Sequence, residues 1–180
     1  MAVRRRKKNS GLKKLTELSV FMLVVLVSAY LILTFVTQRT MVKGSSMEST
    51  LKNGDNIMMD KLSYRIRDIR RGEVICFYSE NERETLIKRV IGLPGERVRI
   101  SGGCIYINDE ELTDRIGGLS FAGRAENEVT LSSDEYFVLG DNRGDSIDSR
   151  FEEIGNVKRK NILGRAFLLF YPLNRIRIVK

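Results

Sequence analysis

Residues 85–100 read Thr85-Leu86-Ile87-Lys88-Arg89-Val90-Ile91-Gly92-Leu93-Pro94-Gly95-Glu96-Arg97-Val98-Arg99-Ile100. β-branched and long apolar residues fill both halves, and Pro94-Gly95 between them is a turn signal. The stretch reads as strand, turn, strand. Alternate side chains of a strand share a face, so Lys88 lies with Leu86 and Val90. Similar short runs stand at 72–78, 104–107, 136–139 and 167–171, most with Gly, Pro, Asn or Asp nearby. Asn53-Gly54-Asp55 and Asn108-Asp109 are further turn signals. Helical periodicity is weak past residue 37. Short strands at this spacing predict a compact β domain, a barrel or a sandwich.

Upstream, residues 18–37 read LSVFMLVVLVSAYLILTFVT, 20 residues without a charge. As a helix they would extend about 30 Å, enough to cross a bilayer core. The run exceeds the apolar core of a cleavable signal peptide, and Val36-Thr37-Gln38 offers no small-x-small site. It reads as an uncleaved signal-anchor, with a cleaved signal as the alternative. Residues 1–17 carry seven Lys or Arg against Glu17 alone, which is most of the net charge of +8. Beside an apolar span such a run is a topology signal rather than a nucleic-acid patch. Three pieces are therefore expected: a basic cytoplasmic tail (1–17), a transmembrane anchor (18–37) and an extracytoplasmic β domain (38–180).

The chain has no histidine. That excludes a Ser-His-Asp triad and histidine-ligated zinc. A serine nucleophile would need another base, and Lys88 is the candidate. An ordinary lysine is neutral only about once in 2,500 at pH 7, a deficit of about 4.6 kcal/mol. Burial among apolar neighbours shifts a lysine by that order. The candidate nucleophile is Ser46, in Gly44-Ser45-Ser46-Met47-Glu48-Ser49-Thr50-Leu51. Small residues there let the backbone turn and expose a hydroxyl. The acid-rich stretch Gly140-Asp141-Asn142-Arg143-Gly144-Asp145-Ser146-Ile147-Asp148-Ser149-Arg150 fails as a calcium loop, because Arg143 and Ser146 fall where a ligand and the required glycine belong. It reads as a stiff polar loop of paired Asp and Arg side chains that holds a serine toward a site. Cys76 and Cys104 fit either a disulfide or two buried thiols, and their strand positions favour thiols.

In order and wording, these elements resemble the type I signal peptidases, membrane-bound Ser–Lys proteases that remove signal peptides. The stretch 44–51 is similar to the family's nucleophile motif, and Arg71-Gly72-Glu73-Val74 to the motif that follows it. Lys88-Arg89-Val90-Ile91-Gly92-Leu93-Pro94-Gly95-Glu96 and the loop 140–150 match the lysine and final motifs closely. The resemblance implies an antiparallel β barrel-like domain at the plasma membrane. Ser46 would be nucleophile and Lys88 general base. Ser146 would hydrogen-bond and orient Lys88, while Asp141, Arg89, Asp148 and Arg150 support the loop. It implies signal peptides of exported preproteins and the lipid bilayer as partners, with no nucleic acid, metal or cofactor, and a monomeric enzyme. An apolar rim would touch the membrane, and Met41, Met47, Ile57, Met58 and Met59 are the residues at hand for it, with ordinary core packing as the alternative.

Two departures stand out. Ser49 replaces the family's usual proline, which would stiffen the turn. Gly44 replaces a serine that in some members helps bind the oxyanion. The Ser46 N–H is then the main donor, with Ser45 as a helper. Two other readings belong to different classes. A membrane-anchored assembly scaffold of the same fold would lack the serine or the lysine. A self-cleaving Ser–Lys regulator would be soluble and DNA-linked.

Overall fold

The computed structural model describes residues 3–35, 37–113, 116 and 119–180, without the side chains of 3–10 and 31–35. Two compact units result, residues 1–38 and 39–180. The first is one helix, α1 (Val3–Phe35). Among the described residues no helix is long and apolar enough to cross a membrane. The expected span 18–37 runs into residues 31–36, whose side chains lie outside those described.

The second unit is β-rich. In chain order its elements are β1 (Thr37–Met41), β2 (Asn56–Asp60), α2 (Ser63–Ile66), β3 (Val74–Ser79), β4 (Glu84–Gly92), β5 (Arg97–Ser101), β6 (Cys104–Ile107), β7 (Glu110–Glu111), β8 (Val129–Thr130), β9 (Glu135–Leu139), β10 (Val157–Lys158), β11 (Ile162–Tyr171) and β12 (Arg177–Ile178). The six runs read from the sequence all appear as strands, β3, β4, β5, β6, β9 and β11, with shifted ends. Asn108 and Asp109 both take positive φ, 52° and 71°, as a two-residue hairpin turn between β6 and β7 requires.

One sheet has the order β1-β2-β11-β3-β4-β9-β10, with β12 beside β11; the other is β7-β6-β5-β8. The domain is thus mainly β and antiparallel, but its sheets are open. The barrel-like expectation is corrected to this extent: the ends of the large sheet, β1 and β10, are not joined. A sheet closes only when tilt and stagger bring its edges into register.

The core also corrects the proposed membrane rim. Met47, Ile57 and Met59 are buried with Leu51, Val74, Ala166 and Leu169, whereas Met41 is exposed and Met58 half-buried. A fully buried methionine contributes about 2 kcal/mol, and this core takes two, Met47 and Met59. Cys76 and Cys104 are both free thiols. Burial pushes the Cys76 thiol up to about 12, and a hydrogen bond to Glu111 raises that of Cys104.

Gly117-Gly118 and the polar stretch 124–128 suggest a surface excursion by their sequence, but the second part of it is fastened. Residues 117–118 lie outside the described residues. Ala125 is fully buried, and the Arg124 N–H donates to the Arg150 carbonyl at 2.9 Å. Gly123, at φ +57°, passes so close that a Cβ would meet the Arg150 oxygen at 2.2 Å. Only glycine combines that φ with that approach.

Candidate active site

Ser46 lies in a tight turn anchored from below. Met47 and Leu51 are buried in the core, and the Leu51 N–H donates to the Met47 carbonyl at 2.7 Å. The Glu48 N–H bonds the Ser45 carbonyl at 2.9 Å. With its neighbour drawn inward, Ser46 is left half-buried at the surface of the turn. Among the described residues its N–H makes no hydrogen bond, so a donor remains open beside the hydroxyl.

Two backbone positions explain the departures in this turn. Ser49 has φ +83°, which a proline ring locked near −65° cannot adopt. A proline would therefore not fit this turn as it stands. Gly44 has φ +80° with open space around it, so a serine there would strain the backbone rather than clash.

Lys88 sits in the middle of β4. The strand pairs with β3, where Ile75 lies opposite Lys88, and with β9 from Arg89 onward. The lysine is only 3% exposed. Burial is the largest influence on its amine. The Asp148, Asp141 and Asp145 carboxylates oppose it and the Arg150 guanidinium assists it, and the pKa falls to about 8. Desolvation penalises the ammonium more than the carboxylates stabilise it.

The loop 140–150 joins these two parts. Arg89, next to the lysine, donates from Nε and Nη2 to Asp141 at 2.7 and 2.6 Å. The Thr50 hydroxyl donates to the same carboxylate at 2.5 Å. Strand, nucleophile turn and loop thus meet on Asp141. The Asn142 N–H donates to the Ser46 carbonyl at 3.0 Å, and its side-chain amide to the Ser45 carbonyl at 3.2 Å. The Ser45 hydroxyl donates to Asp145. Its proton is therefore committed away from the oxyanion role expected of it.

The far end of the loop is held by Asp148 and Arg150, which pair at 2.8 Å with almost no exposure. Asp148 also accepts the Gly140 N–H at 3.0 Å, and Arg150 donates to the Arg143 and Ser146 carbonyls at 2.9 and 3.2 Å. Removing either partner of such a pair would leave a buried charge unpaired.

Ser146 is buried, and among the described residues its hydroxyl has no hydrogen-bond partner. The expected bond to Lys88 is not made in this structure. A buried hydroxyl left unpaired costs about 1–3 kcal/mol, so Ser146 Oγ is an acceptor held in reserve. Gly140 permits the cluster. A Cβ there would stand 2.2 Å from Ser146 Oγ and 2.5 Å from the Ser46 carbonyl oxygen. Thr50, Asn142, Gly140 and Asp145 carry this geometry, yet sequence reasoning assigned none of them a role. All four lie within the stretches 44–51 and 140–150, but nothing local tells which partner each will meet.

Residues 15–171 match the family model described as signal peptidase, peptidase S26. A probable signal peptidase I-2 of Synechocystis is 38% identical over 91% of this chain and 76% of its own length. Signal peptidase I U of Bacillus subtilis is 30% identical over 97% of this chain and 96% of its own. A solved signal peptidase I from Enterococcus faecalis is 31% identical and covers 56% of this chain and 97% of that one, with a TM-score of 0.49. With a family model spanning most of its length and relatives aligned nearly end to end, this chain belongs to the signal peptidase I family, peptidase S26.

Proposed function

We propose that this chain is a Ser–Lys endopeptidase that cleaves signal peptides from exported preproteins after small-x-small sites. The observation that carries the reading is the state of Lys88. With its pKa lowered to about 8, about one lysine in ten is neutral at pH 7. That is some two orders of magnitude more base than an ordinary lysine provides.

Neutral Lys88 takes the proton of the Ser46 hydroxyl, and Ser46 Oγ attacks the scissile carbonyl carbon. The Ser46 N–H, free of other bonds, is placed to donate to the oxyanion. As the tetrahedral intermediate collapses, the Lys88 ammonium returns the proton to the leaving amine. Water then repeats the sequence on the ester and frees Ser46. In the reaction Ser146 Oγ would accept from the Lys88 ammonium, which would satisfy its buried hydroxyl.

The substrate adds as an extended strand. Residues 84–88 of β4 pair with β3 alone, since the register with β9 begins at Arg89. That leaves one edge of the strand open up to the lysine. Residues 18–37 anchor the enzyme in the plasma membrane, with the basic tail in the cytoplasm and 38–180 outside, where signal peptides emerge. The enzyme works as a monomer, needs no cofactor, and discriminates by shallow pockets for small side chains.

The test is cleavage of a labelled preprotein in lipid or detergent by the full chain beside Ser46→Ala and Lys88→Met. Cutting after a small-x-small site by the wild type alone supports the reading, with a rate that falls as pH drops below about 8. Turnover by either variant sinks it. Failure of all three to cut, with folding intact, favours a scaffold.

A further inference from the structure

Three carboxylates act on Lys88: Asp148, Asp141 and Asp145. The first two are already matched. Asp148 is paired with Arg150, whose own charge also acts on the lysine, and Asp141 is paired with Arg89. Asp145 has no ion-pair partner among the described residues and is exposed. Asp145 exerts the weakest of these influences on Lys88, but it is the one carboxylate of the three that is not held in an ion pair.

Asp145 also has a mechanical connection. Its carboxylate accepts the Ser45 hydroxyl, and Ser45 is joined by one peptide bond to Ser46. The Asp145 N–H closes a turn on the Asn142 carbonyl at 3.1 Å, and Asn142 in turn holds the Ser45 and Ser46 carbonyls. The nucleophile turn is thus clasped at both residues by one four-residue segment.

We propose that Asp145 is a positioning residue for the reaction: its carboxylate clasps the Ser45 hydroxyl, fixing the peptide that bears Ser46, and adds a negative charge that acts on Lys88. The inference rests on the Ser–Lys reading of the site. It assigns one side chain two separable effects. The hydrogen bond keeps the nucleophile in place. The charge favours the ammonium form and so slightly raises the pH at which Lys88 becomes a base, a level that burial chiefly sets. The other charges acting on Lys88 are Asp148, Arg150 and Asp141, all on the same loop; Arg89, the next residue of the strand, is paired with Asp141.

Substitutions separate the two effects. Asp145→Asn keeps an oxygen to accept from Ser45 and removes the charge. The acid limb of its kcat/KM profile moves down by about half a pH unit, roughly threefold more turnover well below the limb, and the shift shrinks in 1 M salt. Ser45→Ala keeps the charge and deletes the clasp, so kcat falls at all pH values with the limb in place. Asp145→Ala does both. Asp145 is exposed, so folding is not at stake in its variants. A readout without substrate is the NMR titration of ¹³Cε-labelled lysine at position 88 in wild type and Asp145→Asn. A lower midpoint in the variant supports the proposal, and coincident midpoints overturn it. A Ser45→Ala limb displaced as far as that of Asp145→Asn overturns it too. Absence of preprotein cleavage by the wild type sinks the Ser–Lys reading instead, and leaves the titration to be judged by itself.

Discussion

Arg89 grips Asp141 through two parallel hydrogen bonds, 2.7 Å from Nε and 2.6 Å from Nη2, across 52 residues of sequence. The pair locks the strand that carries Lys88 to the loop that carries Ser146. Thr50 joins the same carboxylate and brings the nucleophile turn with it. A bidentate fork fixes distance and direction together, which a single contact would not.

Arg89→Ala is expected to destabilise the domain by about 3–5 kcal/mol, because Asp141 would be left buried and unpaired. Arg89→Lys would recover little, since an ammonium cannot fill the fork. The double variant with Asp141→Ala should cost less than the two single losses added together. Urea unfolding of the four proteins measures this, and simple additivity would show that the pair is not coupled.

Gly140→Ala tests the crowding around Ser146. The added methyl meets Ser146 Oγ at 2.2 Å and the Ser46 carbonyl at 2.5 Å, so one of them must move. Displacing a reacting group by about 1 Å costs about 10² in rate. The loss is expected in kcat with KM little changed, because the open edge of β4 is untouched. Steady-state kinetics that show a KM effect alone would refute the crowding argument.

Lys88 carries a stability cost that its chemistry explains. Its pKa falls from 10.5 to about 8 on folding. Below pH 8 both states are protonated and the folded one bears the full penalty, about 3 kcal/mol. Between pH 8 and 10.5 the unfolded state binds the extra proton, so wild-type stability rises with pH through that window. Lys88→Met, which has no proton to bind, should be more stable than wild type at pH 7 by up to that amount. The gap should close as the pH approaches 10.5. Thermal unfolding from pH 6 to 10 reads the trend, and a gap that widens with pH would contradict the burial argument.

Local signals carried much of the architecture. β-branched residues and turn dipeptides marked β3, β4, β5, β6, β9 and β11, since strand preference and turn chemistry act within a few residues. They missed β2, Asn56–Asp60, whose adjacent methionines suit helix as well as strand. The site was legible as motifs: the Ser46 turn, the Lys88 strand and the loop 140–150 were all identified in the chain. Their mutual geometry was not.

By itself the sequence determined six of the strands, that no histidine can act, and that Ser46 and Lys88 are the candidate nucleophile and base. Tertiary structure alone decided that Met47, Ile57 and Met59 fill the core instead of a membrane rim. An apolar side chain reads the same whether protein or lipid covers it, and only the packing across the sheet distinguishes them. It also decided that Ser45 answers to Asp145, 100 residues away, and Thr50 to Asp141, 91 away. Such bonds leave no trace in local periodicity, because their partners meet only after the sheet has assembled. The same holds for Gly140, whose missing side chain matters only because Ser146 and Ser46 converge on it.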